Sequence, residues 1–230
     1  MALSHSPKIV TDGLVLCLDA GDRKSYSGSG TTWTDRSGNG NDGTLTNGPT
    51  FDSDNGGSIV FDGINDYVKI DNIIIANPTS LTVGGWFKRN GDGANYETAL
   101  HHSSNTSIGS SSYWFGIDLD NKIVGTIGAN TGVGWSAGQT TIVANVGVWH
   151  HTISTWDGST VKTYVDGNLE KTYNLTSYNN LTTPTRLGAS GDGNGYVMNA
   201  SISNVFISKN KSFSLDDVLQ NYNSAKGRFL

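Results

Sequence analysis

Residues 149–167, WHHTISTWDGSTVKTYVDG, constrain the fold more than any other stretch. Trp149, His151, Ile153 and Thr155 share one side of an extended chain. Val161, Thr163 and Val165 repeat the alternation, which is the two-residue period of a strand with one buried face. Asp157-Gly158 and Asp166-Gly167 stand where these runs end, and Asp-Gly supplies the positive φ of a tight hairpin turn. With residues 169–175 the stretch reads as three consecutive antiparallel strands.

The same alternation, punctuated by Gly, Asn, Asp and Ser, predicts strands at 13–19, 58–62, 67–70, 81–88, 98–101, 113–119, 122–127, 140–144, 185–189 and 197–208. Thirty glycines and only 15% charged residues suit short strands joined by many turns. The expectation is one all-β domain, a two-sheet antiparallel sandwich over residues 13–230 behind a polar arm at 1–12. Residues 21–48 read as one long loop. A single helix closes the chain at about 214–226. Ser214 caps it, Asp217 completes the cap, Phe213 staples to Val218, and Leu215, Val218, Leu219, Tyr222 and Ala225 share a face. Arg228, Phe229 and Leu230 follow Gly227 as a tail with an exposed apolar end.

A formal charge of −5, with no basic run longer than Lys88-Arg89, argues against nucleic acid as a partner. The longest apolar run, residues 73–76, is too short to insert across a bilayer, so no membrane insertion is expected. Cys17 is the only cysteine and reads as a small buried hydrophobe. The first eight residues lack the apolar core of a signal peptide, so no Sec export is expected.

Trp-His, Asp-Gly and Tyr-Val-Asp-Gly at the spacing of residues 149–167 resemble the laminin G-like branch of the concanavalin A-like lectin/glucanase superfamily. SIVFDGINDYV at 58–68, LTVGGWF at 81–87, TRLG at 185–188 and ASISNVF at 200–206 agree with it in order. The resemblance implies a jelly roll and leaves the function open. In style, from GLVLCLDAG at 13–21 through YSGSGTTW at 26–33 to the closing helix, the chain also resembles small virion proteins of tailed, notably marine, phages. That likeness implies a capsid decoration or a head or tail fibre component, assembled onto the virion in the host cytoplasm. Its expected partners are other virion proteins and a host-surface glycan, and a homotrimer is an expectation for such proteins.

Four sets of residues bear on chemistry. Asp35, Asn39 and Asn41 alternate with glycines as a hard-cation loop would, and Asp62 and Asp66 flank a turn of the kind that holds Ca²⁺ at the rim of laminin G-like domains. The competing reading is that all five serve turns. The acidic strand of the superfamily's glucanases is missing: the two glutamates, Glu97 and Glu170, lie far apart. Asp118 and Asp120 are the nearest substitute for a glycosidase pair, and they also read as a hairpin turn. Neighbouring residues on a strand point to opposite faces, so His101-His102 and His150-His151 cannot each grip one metal. Glycine-rich loops carry Trp135 and Tyr196, with Asp192 nearby, and these are the candidate sugar contacts. A non-catalytic binding or structural module of the virion is therefore expected. A free-standing lectin and a glucanase-type glycoside hydrolase are the alternatives.

Overall fold

The computed structural model describes residues 8–71, 73, 75–91, 95–103, 111–128, 134–178, 183–190 and 195–230. Residues 149–167 fold as anticipated. β12 (Trp149–Trp156), β13 (Thr160–Val165) and β14 (Asn168–Asn174) form a meander. Asp166 (φ 51°) and Gly167 (φ 84°) both turn left-handed, which matches the twist of the strands they join. β12 is buried on both faces rather than one, because a helix packs over its outer side.

The meander starts the first sheet. β12 pairs with β7 (Leu81–Arg89), which pairs with β16 (Asn199–Lys209). One half of the other edge of β16 takes β1 (Leu14–Asp19), and the other half takes β5 (Ser58–Asp62) with β4 (Thr50–Asp52) outside it. The second sheet runs β11 (Gln139–Val143), β10 (Lys122–Ile127), β9 (Ser111–Ile117), β8 (Glu97–Ser103), β15 (Thr185–Leu187), β6 (Tyr67–Ile70), β3 (Gly43–Thr46) and β2 (Thr32–Trp33). All strand pairs are antiparallel, and the architecture is the two-sheet jelly roll that the sequence predicts. Two departures stand out: the expected 21–48 loop supplies β2 and β3, and β4 forms at 50–52, where no strand is expected.

Between the sheets lies the main core, in which Trp33, Phe61, Ile59, Tyr113, Ile117 and Leu81 are fully buried. Each such side chain contributes roughly 1.5–3 kcal/mol by leaving water. The sheets approach each other closely at Gly125 of β10. The Thr163 hydroxyl donates to its carbonyl at 2.7 Å, and a Cβ there would stand 2.6 Å from Ser154 Oγ. Arg89 and Glu97 bridge the sheets with a buried ion pair at 2.9 Å.

Helix α1 (Leu215–Ala225) covers the outer face of the first sheet. Its capping box is complete: Ser214 Oγ accepts from the Asp217 amide at 3.2 Å, and Asp217 Oδ2 accepts from the Ser214 amide at 3.0 Å. Phe213 and Val218 pack together with Ile153 and Phe206. Leu215, expected on the buried face, is 51% exposed. Asn221 is buried instead, and its Oδ1 accepts from the Val10 amide at 2.7 Å, which straps residues 8–10 onto the helix. The expected loose apolar end is also corrected at Phe229, which packs on Trp86 and Trp149 with ring centres 4.4 and 4.6 Å apart. Leu230 alone is exposed. Cys17 is half-buried, opposite Leu16 and Leu18; burial and the charges of Asp19 and Asp35 push its thiol up to about 12, which keeps it protonated and unreactive.

Candidate functional site

On β9, Tyr113, Phe115 and Ile117 face the core, so Trp114 between them faces outward from the second sheet. Its indole N–H donates to Thr98 Oγ1 at 3.0 Å, and the ring lies on Val124 of β10. Three half-buried aromatics gather around it. Tyr96 has its ring centre 6.3 Å from Trp114, 4.9 Å from Trp135 and 5.6 Å from Tyr196, all edge-on, and Trp135 meets Trp114 edge-on at 6.1 Å. Edge-to-face packing holds each ring by its rim and keeps part of its face toward solvent.

Local bonds fix these rings. Trp135 opens a 3₁₀ turn, Trp135–Gly138, whose first carbonyl accepts from Thr126 Oγ1 at 2.6 Å. Tyr196 adopts φ 43°, a left-handed conformation uncommon for a ring-bearing residue, and its carbonyl accepts from the Thr98 amide at 3.0 Å. Burial and the charges of Asp118, Tyr196 and Asp120 push the Tyr96 phenol up, so it remains a neutral hydroxyl. On the same face His101 lies opposite Trp114, with Nε2 bonded to Ser111 Oγ at 2.6 Å. Burial holds His101 down to about 3, and it is neutral at physiological pH.

Two of the three expected sugar contacts, Trp135 and Tyr196, thus belong to one cluster. Asp192 lies outside the described residues. Tyr96 and Trp114 join them without being among the expected contacts; the run Tyr113-Trp114-Phe115 signals Trp114, since three aromatics in sequence on a strand must place at least one on the outer face, whereas no local pattern signals Tyr96.

Asp118 and Asp120 form a hairpin turn rather than a paired strand face. Asp118 Oδ1 accepts from the amides of Asp120 and Lys122, each at 2.9 Å, and Oδ2 accepts from the Gln139 amide group. Glu97 is engaged with Arg89 inside the sandwich.

The residues offered to calcium are strung along two turns. Asp35 uses both carboxylate oxygens on four donors: the Cys17 and Ser37 amides at 2.9 Å, the Ser37 hydroxyl at 2.7 Å and the Asn41 amide at 3.0 Å. The side-chain amides of Asn39 and Asn41 donate to the carbonyls of Leu14 and Val15 at 3.1 and 2.7 Å, and the Arg36 amide donates to the Cys17 carbonyl at 2.8 Å. This loop covers the edge of β1 that β16 leaves unpaired, as an exposed strand edge requires. Its donor set does not fit an ion, since every Asp35 oxygen already holds an N–H or O–H. In the second turn Asp62 Oδ1 accepts from the Ile64 amide at 2.8 Å, and Asp66 Oδ2 accepts from the Asp62 amide at 3.1 Å. Burial, and then the charge of Asp62, push the Asp66 carboxyl up. Two carboxylates there fall well short of the roughly six to eight oxygens that Ca²⁺ takes. Among the described residues no three His, Cys, Asp or Glu side chains form a metal-holding group.

A laminin G family model, described as the concanavalin A-like lectin/glucanases superfamily, matches residues 62–218. The chain belongs to this superfamily. No curated protein matches it in sequence. Among solved structures, sialidase of Trypanosoma rangeli is similar over 99% of this chain and 36% of its own, at 15% identity and a TM-score of 0.69. Domain 4 of AbnA, an extracellular arabinanase of Geobacillus stearothermophilus solved with arabinotriose, is similar over 92% of this chain and 98% of its own, at 15% identity and 0.64. The botulinum neurotoxin serotype D binding domain is similar over 93% and 52%, at 14% identity and 0.67. At such identities the likeness concerns the fold. The superfamily member spans about a third of the sialidase's length.

Proposed function

We propose that this superfamily member is a non-catalytic carbohydrate-binding module whose sugar contacts are Tyr96, Trp135 and Tyr196, seated on Trp114. The observation that carries this reading is the cluster itself: half-buried rings, with the Trp135 and Tyr196 backbones held by hydrogen bonds, on the sheet face opposite the helix-covered one. Rings held in advance lose little freedom when a sugar stacks on them. Tyr96 adds a hydroxyl beside the rings for a hydrogen bond to the sugar. A domain of similar fold, matched over 92% of this chain and 98% of its own, was solved with arabinotriose, which supports an oligosaccharide as the ligand class.

Titration calorimetry with arabinotriose and a panel of oligosaccharides tests this. Binding that Trp135→Ala lowers at least about tenfold, with melting unchanged, is the expected result. Silence over the panel, or binding indifferent to Trp135→Ala, would overturn it. The same proposal places the module on a phage particle, as a decoration or fibre component that meets a host glycan. Its support is the likeness of sequence style to small virion proteins. Mass spectrometry of purified particles should find the chain in stoichiometric amount, and its absence there would remove this part.

A further inference from the structure

At the edge of the sandwich away from the aromatic cluster, residues 20–29 and the β4 strand with the turn after it enclose a cleft of about 290 Å³. That is near the lower end of small-molecule sites, roughly 300 Å³. Phe51 and Tyr26 supply an aromatic wall, with ring centres 5.5 Å apart, and Ser27, Ser29 and Ser53 line the rest with Arg23. The walls are fixed. Tyr26 donates its hydroxyl to the Gly30 carbonyl at 2.8 Å, Ser27 Oγ donates to the Ser29 carbonyl at 3.0 Å, and the Tyr26 amide bonds back to Asp22 at 2.8 Å. Gly28, at φ 100°, lets the backbone pass over Phe51 without a side chain on the ring.

Arg23 is the single charged residue among those lining the cleft, and it makes no hydrogen bond or ion pair with the described residues. The carboxylates nearby are turned to other donors. Asp22 holds Arg36 at 3.1 Å, Asp19 holds Arg228 at 2.9 Å, and Asp52 accepts from the Asp54 amide at 2.9 Å. An aromatic wall, hydroxyls and one uncompensated guanidinium in a volume of this size describe the complement of a sugar ring bearing a carboxylate.

We infer that this cleft binds an acidic monosaccharide unit of uronic-acid type, its ring against Phe51 and its carboxylate on Arg23. The site is separate from the Tyr96 cluster and does not depend on it. Amide chemical shifts of the whole chain, titrated with glucuronic acid and with glucose, test the assignment. Glucuronate should produce saturable shifts at residues 21–29 and 51–56, and glucose should bind at least about tenfold more weakly, the loss expected for one charge-assisted contact. Arg23→Gln, at an exposed position, should keep the wild-type spectrum and reduce glucuronate to the level of glucose. Trp135→Ala should leave these shifts in place even where it abolishes binding at the aromatic cluster. No saturable shift at these residues, or equal response to the two sugars with Arg23→Gln indifferent, overturns the inference.

Discussion

Arg228 and Asp19 meet across 209 residues of chain, with Nη1 of the arginine 2.9 and 3.2 Å from the two carboxylate oxygens. The same guanidinium donates to the Gly57 carbonyl, to Ser203 Oγ and to the Asn55 carbonyl, at 3.2, 2.7 and 3.2 Å. It therefore fills the junction at which β1 and β5 part along the edge of β16, where Ser203 also accepts the Ala20 amide through its carbonyl. Replacement by alanine should cost about 2–3 kcal/mol, because several polar groups lose a charged donor at once. Arg228→Lys should recover only part of this, since an ammonium cannot span the same acceptors. Denaturant melts of the three proteins check the order, and a lysine variant as stable as wild type would contradict it.

Asp35→Asn should loosen the loop that covers β1. The substituted amide cannot accept four donors, and the expected loss is about 2–4 kcal/mol. Because the role is hydrogen bonding, the drop in melting temperature should be the same in excess Ca²⁺ and in excess chelator. A drop confined to calcium-containing buffer would instead point to a bound ion.

Acid should destabilise the fold through its buried histidines. Burial lowers both His101 and His151 to about 3 in the folded chain, while the unfolded chain protonates them near the ordinary value of about 6.5. Between these values the unfolded state binds more protons. The stabilisation is thus complete above the unfolded value and is lost as pH falls toward the folded one, at up to about 1.4 kcal/mol per pH unit for each histidine. Denaturation free energies measured at neutral pH and at about pH 5 should differ accordingly. His151→Phe, which keeps a ring against Trp86 at the tilted 5.0 Å contact, should flatten part of the slope.

Arg89→Met should destabilise by about 3–5 kcal/mol, since it strands the Glu97 carboxylate inside the sandwich. The double variant Arg89→Met, Glu97→Leu should regain most of that, because two apolar side chains need no desolvation to be repaid. Equal losses in the single and double variants, read by urea melts, would show that packing rather than charge sets the cost.

Strands with strict alternation and a polar turn at each end were legible from the sequence: β5, β6 and β10 occupy 58–62, 67–70 and 122–127 as expected. β2 and β3 were not, because strands of two and four residues set among Gly, Asn and Ser carry too little pattern to separate from a loop. Leu215 misled for another reason. Helical spacing places it near the apolar stripe, but it stays exposed, while Asn221, which accepts from the Val10 amide, is buried. At the candidate site, glycine-rich context was enough to single out Trp135 and Tyr196. Tyr96, which joins them, depends on strands far apart in sequence being brought to one face, and no local pattern encodes that.

The placement of β16 governs how the chain can be made. This last strand bonds to β7, β5 and β1, so that Leu14 is opposite Ser208. During synthesis the first sheet must wait for its keystone, and β1 emerges long before its lasting neighbour β16 is made. Such remote pairing slows folding and exposes early strands to wrong partners. The loop around Asp35, which follows β1 closely in sequence, can sheathe one of its edges long before β16 emerges.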